Sequence, residues 1–200
     1  PVGSGFLTAP GASAFPRDLL VFDDGTGPAL YMAGGLVVID PSLTPSSINK
    51  WDGQKWTAIP GFLDDPNVTV ATVNSMGLYN DGTGTTIYAQ VRFFTPNLTP
   101  NFRQVIMKLE NGRFVEIPNT NLGSSSITEF TQYAGGGTSK LYIGGGFTEL
   151  NGSPANRIAT ITGCTPACPP DVCPAYFNDS GSVTVQDIFD FLAAYFAGCP

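Results

Sequence analysis

Four cysteines carry the most reactive side chains of this sequence, and all lie in its C-terminal part, at Cys164, Cys168, Cys173 and Cys199. Cysteine thiolates form disulfides or bind zinc, but zinc sites of four cysteines usually contain C-x-x-C pairs, which these spacings lack. An even number of proline-flanked cysteines in a sequence without histidine favours two disulfides, with a zinc site as the alternative. Disulfides persist outside the reducing cytoplasm, so we expect an extracellular or cell-surface protein.

Catalytic side-chain patterns are scarce in this sequence. The absence of histidine excludes a histidine general base, a histidine-activated serine or cysteine nucleophile and any histidine-bound metal. The sequence contains no Gly-x-Ser-x-Gly elbow and no phosphate-binding loop. The enzyme arrangement that stays open is a pair of carboxylates converging at the mouth of a repeat array, as in some glycosidases. We expect a non-catalytic protein.

Composition predicts a folded, turn-rich and mainly β protein. Sixteen acidic and nine basic residues give a net charge of −7, which argues against nucleic acid as a partner. Only 12% of the residues are charged, while 24 glycines and 17 prolines supply turns and a 12% aromatic share supplies core surface. The longest nearly apolar run, residues 29–39, is far shorter than the roughly 20 residues of a membrane span.

An internal repeat organises the sequence up to residue 163. Its first half is an aromatic residue, a glycine-rich turn and a later tyrosine, as in FDDGTG before Tyr31, YNDGTG before Tyr88 and the looser YAGGGT before Tyr142. Its second half appears as INKWDGQKWTAIP at 48–60, as IMKLENGRFVEIP at 106–118 and in part as RIATI at 157–161. Both halves predict hairpins whose turn glycines tolerate positive φ. One repeat is therefore predicted to be four short antiparallel strands, with copies at about 18–62, 74–120 and 127–163.

These repeats resemble the blades of kelch-like β-propellers, in particular those of the planctomycete secreted type. The resemblance is carried by the phrases FDDGTGPALY, WDG..W and GGFT…NG…ANRIA, and the second repeat departs from it with Gln90 and Val91 where a glycine pair is expected. It implies a mainly β fold of about three propeller blades and implies little about function. We expect Trp51, Trp56 and Phe114 to be core aromatics, and Asp23 and Asp24 to serve turn hydrogen bonds.

Three blades do not close a propeller, which has about four to eight. Three explanations are open. The sequence could be the C-terminal part of a longer propeller, and its opening with Pro1 rather than Met fits either a window on a longer protein or the removal of an export signal. It could pair with a second copy, three blades with three. It could also join neighbours head to tail in an open assembly, because a contact that does not close makes a filament.

Residues 164–200 are predicted to form a separate cysteine-rich tail. Apolar residues at helical spacing over 188–196, followed by Gly198, predict a short helix. Together with residues 176–187 before it, this segment resembles a single dockerin-like or EF-hand calcium loop. A bridge between Cys173 and Cys199 would clamp the segment and leave Cys164 with Cys168, although four cysteines allow three connectivities.

The dockerin-like resemblance implies a weak calcium site. Its oxygen ligands would be Asn178, Ser180, Ser182, Thr184 and Asp187. Tyr176 stands at the first loop position, where the family has aspartate, and Asp187 is the one carboxylate of the set, so affinity is expected to be low. The alternative is a helix cap in which Thr184 and Asp187 form an S/T-x-x-D pattern.

The leading hypothesis for function is a non-catalytic extracellular structural or surface protein that assembles through its propeller repeats into an oligomer or filament. The alternative is a carbohydrate- or protein-binding propeller module, in a chain that is a C-terminal fragment of a longer one. In that case Phe93, Phe94 and Phe102 would be exposed aromatic anchors on blade loops; core positions or assembly contacts are the equal alternative for them. Self-association is the expected partnership, with a glycan or protein ligand as the alternative.

Overall fold

The computed structural model describes residues 7–8, 15–38, 46–96, 99, 101–123, 125–135 and 138–161. Over these residues the protein is mainly β, as its composition predicts, and has no helix. No membrane-spanning helix is therefore found in this part of the chain. The strands are β1 (Leu7–Thr8), β2 (Pro16–Asp23), β3 (Pro28–Val38), β4 (Ser46–Trp51), β5 (Trp56–Ala58), β6 (Val70–Asn80), β7 (Thr85–Phe94), β8 (Phe102–Glu110), β9 (Arg113–Glu116), β10 (Ile127–Gly135), β11 (Thr138–Gly145), β12 (Glu149–Leu150), β13 (Ser153–Pro154) and β14 (Ile158–Ile161).

The first two repeats each contain four consecutive antiparallel strands. The first meander is β2-β3-β4-β5 and the second meander is β6-β7-β8-β9, each strand pairing with the next along the chain. A bridge between Gly35 and Thr72 joins the two meanders into a curled nine-stranded sheet, in which β1 also pairs with β3.

The third meander has three strands among the described residues, in the order β10-β11-β14. The small hairpin β12-β13 is inserted between β11 and β14. Strand β14 pairs with β11 as β4 pairs with β3, so Tyr142 lies opposite Thr160 as Tyr31 lies opposite Lys50.

The repeated aspartate–glycine turns explain why each hairpin forms where the sequence predicts it. The Oδ1 atom of Asp23 accepts hydrogen bonds from the amides of Gly25 at 2.9 Å and Gly27 at 3.0 Å. Gly25 has a φ of 94° and its counterpart Gly82 a φ of 102°, a region that side chains disfavour. The prediction that Asp23 and Asp24 serve turn hydrogen bonds is confirmed, because Asp24 Oδ1 also accepts from Thr26.

Glycine also allows close approach of the backbone in the first and third repeats. A Cβ atom on Gly34 would overlap the carbonyl oxygen of Phe15, and one on Gly145 would overlap that of Ser126. One glycine of each Gly-Gly pair of the repeat thus allows this close strand packing.

Two hydrophobic cores lie between the meanders. The first core fills the space between the first and second meanders and is centred on residues such as Tyr31, Ile48, Ile87 and Phe114. The second core lies between the second and third meanders and contains Tyr88, Ile106, Ile127, Leu141 and Phe147. No meander buries the apolar side chains of these two cores by itself; they are buried where two meanders stack on each other.

The predicted core aromatics divide between two clusters. Phe114 is fully buried in the first core. Trp56 is buried with Met32 in a small separate cluster on the outer side of the first meander, and Trp51 is half-buried against it. The expectation of core positions is thus confirmed for Phe114 and Trp56. For Trp51 the expectation holds only in part, because this side chain is half-buried at the border of the small cluster.

Candidate functional site: the outer faces of the first and third meanders

Each meander directs the same residue types toward the next meander along the chain. Tyr31 and Ile48 of the first meander are fully buried in the first core. Tyr88 and Ile106, their counterparts in the second meander, are buried in the second core. The same sequence position is therefore used twice to seal one meander against the next.

The third meander carries the same residues, but on an outer face. Tyr142 and Ile158 occupy the positions of Tyr31 and Ile48, and the pairing of Gly144 with Ile158 and of Tyr142 with Thr160 places their side chains on one side of the sheet. Ile158 is 67% exposed and Tyr142 is half-buried. We call Tyr133, Tyr142 and Ile158 the presenting face.

A repeated aromatic pair supports the equivalence of these faces. The ring centroids lie 5.9, 5.4 and 6.0 Å apart in the pairs Phe22–Tyr31, Tyr79–Tyr88 and Tyr133–Tyr142. The first two pairs pack into the cores between meanders, whereas Tyr133 is 61% exposed. The third pair thus keeps the geometry of the others with one ring still largely in solvent.

The opposite outer face belongs to the first meander. Val21 lies opposite Leu30, Leu30 lies opposite Trp51, and Leu19 occupies the same side of β2 as Val21. We call Leu19, Val21, Leu30 and Trp51 the receiving face. Leu19 is 59% exposed and Val21 is 63% exposed, a high value for aliphatic side chains in the middle of a strand.

The second meander shows what this face does when it is covered. Its residues at the positions of the receiving face are Met76, Leu78, Ile87 and Leu109, and all four pack in the first core against the first meander. Met76 is buried to 7% exposure at the position where Leu19 has 59%. The receiving face is thus exposed on the first meander, whereas the corresponding face of the second meander is buried by stacking.

Beside the stacked faces, a polar network repeats in the first two meanders. Asp24 Oδ2 accepts hydrogen bonds from the Tyr31 hydroxyl at 2.8 Å and from the Lys50 ammonium at 2.6 Å. In the second meander, Asp81 accepts at 3.1 Å from the hydroxyl of Tyr88 and at 3.2 Å from the ammonium of Lys108. Sequence reasoning missed this network, although the recurrence of aspartate, tyrosine and lysine at the same repeat positions was a signal for it.

The network shifts the pKa of Asp24 and of Tyr31, and the cause is burial together with direct hydrogen bonds. Burial alone would raise the pKa of Asp24, but hydrogen bonds from Lys50, Thr26 and Tyr31 outweigh it and hold that pKa well below its usual range. Burial, and then the hydrogen bond to Asp24, raise the pKa of Tyr31 above its usual range. Because donors saturate the carboxylate, the network favours a structural role over acid–base chemistry.

The third repeat lacks the network. Gly135 stands where the first two repeats have aspartate, and Thr160 stands where they have lysine. Among the described residues, the presenting face therefore has no counterpart of the Asp24–Lys50 and Asp81–Lys108 ion pairs, which lie beside the cores between meanders.

A groove of about 360 Å³ lies between residues 61–68 and strands β8 and β9. Its aromatic floor includes Phe62, Phe93 and Phe114, which are buried. Its rim charges pair within the chain: Arg103 bonds Glu116 at 2.5 Å and Arg113 bonds Asp64. Since the aromatic rings are buried and the charged groups form ion pairs within the chain, the groove offers a ligand few side chains that are open to new contacts.

The predicted aromatic anchors do not form an exposed platform. Phe93 belongs to the first core, because it lies on the inward side of β7 rather than on a loop, so its core alternative is the correct one and the exposed anchor is wrong. Phe102 is half-buried under the Arg92 guanidinium, which lies 4.5 Å from its ring centroid. Phe94 is the one of the three that is exposed, at 39%.

The predicted calcium and disulfide residues lie outside the described residues. They are Asn178, Ser180, Ser182, Thr184 and Asp187 for calcium, and Cys164, Cys168, Cys173 and Cys199 for the disulfides. Within the described ranges, no group of three or more acidic or cysteine side chains is arranged to hold a metal ion.

Comparison with known proteins does not assign the chain to a family. Searches against protein-family models, curated proteins and solved structures found no match to the chain. The resemblances to kelch-like blades and to a dockerin-like tail therefore stay predictions. The two outer faces are the candidate functional site that the contacts themselves define.

Proposed function

We propose that this protein is a non-catalytic structural or surface protein that self-associates by stacking its repeats, which act as blades of a propeller type. The observation that carries the proposal is the isoleucine series Ile48, Ile106 and Ile158. The first two are fully buried between meanders, and the third is 67% exposed at the same repeat position.

The physical argument rests on the cost of exposed apolar surface. Ile158, Tyr133, Val21 and Leu19 are all more than half exposed, and they form two patches at opposite ends of the stacked meanders. Burying an aliphatic side chain contributes about 1.5–3 kcal/mol, so covering both patches favours association. Repeat arrays need capped or paired ends for the same reason.

The proposed site of action is outside the cytoplasm. Four cysteines without histidine support disulfides, and low charge and abundant turns suit a secreted structural protein. The paired charges of the Asp24 and Asp81 networks support the non-catalytic part of the proposal, since neither carboxylate is left without donors.

Electron microscopy of the purified chain, together with light scattering over a concentration series, tests the proposal. The expected result is a particle mass that rises with concentration toward closed rings or filaments. Dispersed particles of 21.0 kDa at every concentration would contradict the proposal.

A further inference from the structure

We infer that the self-association is head to tail: the presenting face of one copy packs on the receiving face of a second copy. This inference rests on the proposed function and names the partner and the orientation of the contact. It makes a specific statement about Ile158 and Val21, namely that they meet each other across the contact and not their own counterparts.

The chain itself supplies two examples of this contact. The first core contains Tyr31 and Ile48 of the first meander together with Ile87 and Leu109 of the second. It is therefore built from the presenting side of one meander and the receiving side of the next.

The second core repeats the arrangement one meander further along. Tyr88 and Ile106 share this core with Phe130, Leu141 and Ile143, where Leu141 occupies the repeat position of Leu30 and Ile87. Both internal cores thus join the presenting side of one meander to the receiving side of the next. The inferred contact between two copies extends this same packing by one layer.

The two outer faces also match in chemistry. The receiving face offers aliphatic side chains and Trp51, and the presenting face offers Ile158 and the T-shaped Tyr133–Tyr142 pair. Thr160 and Gly135 replace the lysine and aspartate of the internal contacts, while Glu129 and Lys140 lie on the same side of β10 and β11 as the two tyrosines. A tyrosine ring can bury its body in such a contact while its hydroxyl keeps a polar partner.

A contact between unlike faces leaves one free face of each kind on every dimer. It can therefore close, if rotation brings the free faces together, or continue as an open filament. Both outcomes support the inference, because both use the same pair of faces.

The test uses two charge variants of the full chain, Val21→Glu and Ile158→Glu. Both side chains are more than 60% exposed, so neither substitution disturbs a core between meanders. Val70→Glu is the matched control, since Val70 is a 44% exposed valine of β6 that belongs to neither face. A glutamate placed in a buried contact weakens association by about 100-fold or more. Each face variant should therefore sediment as a monomer at concentrations where wild type and Val70→Glu associate.

Mixing the two face variants decides the orientation. Val21→Glu keeps an intact presenting face and Ile158→Glu keeps an intact receiving face, so an equimolar mixture should form heterodimers that neither variant forms alone. A mixture that stays monomeric would overturn the head-to-tail contact.

Two further results separate this inference from the proposed function. If wild type associates and one face variant still dimerises alone, like faces meet and the orientation is wrong, while self-association stands. If wild type is a monomer at every concentration, the proposed function fails and the inference fails with it. Association of wild type and of both variants to the same extent would also overturn the inference, by placing the contact elsewhere.

Discussion

Asp81 is the most enclosed carboxylate among the described ion pairs, with a side chain only 3% exposed. Its donors are Thr83, Lys108 and Tyr88; burial alone would raise the pKa of Asp81, but the hydrogen bonds from Thr83 and Lys108 hold it below its usual range. The sequence pattern indicated only the turn around this residue, because a lysine 27 positions later becomes a neighbour only after β7 and β8 pair.

Replacing Asp81 by asparagine removes the charge that Lys108 faces. Lys108 keeps Glu110 at 2.6 Å, so we expect the free energy of unfolding to fall by about 2 kcal/mol rather than by the larger cost of an unpaired buried charge. Urea unfolding followed by tryptophan fluorescence measures this change. Asp23→Asn, which retains the Oδ1 acceptor of its turn, is the control and should stay within about 0.5 kcal/mol of wild type. Equal losses in the two variants would contradict the role given to the network.

The tyrosines of the network predict a dependence on alkaline pH. Burial and the neighbouring aspartates raise the pKa of Tyr31 and of Tyr88 above the ordinary value of 10.0. A group whose pKa is raised by folding stabilises the native state fully below its unfolded pKa, and that contribution is lost as the pH rises toward the folded pKa. We therefore expect stability to decline above pH 10. Ultraviolet absorbance should show part of the tyrosine ionisation appearing only as the protein unfolds, and complete ionisation in the native state near pH 10 would contradict this.

At the scale of elements, the hairpins were predictable and the packing of their faces was not. The Asp-Gly and Asn-Gly turns at 52–53 and 111–112 follow from local chemistry, since Asn111 and both glycines adopt positive φ. Which side of β3 meets the second meander depends on stacking, and period-2 alternation alone does not reveal it. The same limit explains why the sequence leaves Phe93 open between an exposed anchor and a core position.

The approach of β6 to β10 depends on Gly77. A Cβ atom at this position would overlap the side chain of Phe130, which belongs to the second core. We expect Gly77→Ala to lower the free energy of unfolding by about 1–3 kcal/mol through overpacking. Gly146→Ala is the matched control, because no atom lies within 4 Å of the Cβ that it would add. Thermal unfolding of both variants measures the difference, and a neutral Gly77→Ala would contradict the close packing of β6 on β10.

At the scale of the whole molecule, the sequence predicted a repeating mainly β fold, and the structure adds the direction of stacking. The repeat positions of Tyr142 and Ile158 are visible in the sequence, but their exposure depends on whether a further layer packs against β11 and β14. No local pattern distinguishes an isoleucine that is buried between two meanders from one that is exposed on an outer face. The two outer faces therefore became recognisable only from the burial of their counterparts.

The proposed extracellular setting predicts that the cysteines are oxidised. We expect Cys164, Cys168, Cys173 and Cys199 of the secreted chain to resist alkylation by iodoacetamide until a reductant is added, because two disulfides leave no thiolate to react. Mass spectrometry before and after reduction checks this. Zinc released on mild acidification, together with four reactive thiols, would instead support the zinc alternative.

Self-association through the outer faces is the central claim, and sedimentation velocity of wild type beside Ile158→Glu tests it most directly. The account predicts that wild type sediments as larger species as its concentration rises, while Ile158→Glu stays at the 21.0 kDa of a single chain over the same range. Identical sedimentation of the two proteins, whether both monomeric or both associated, would contradict it.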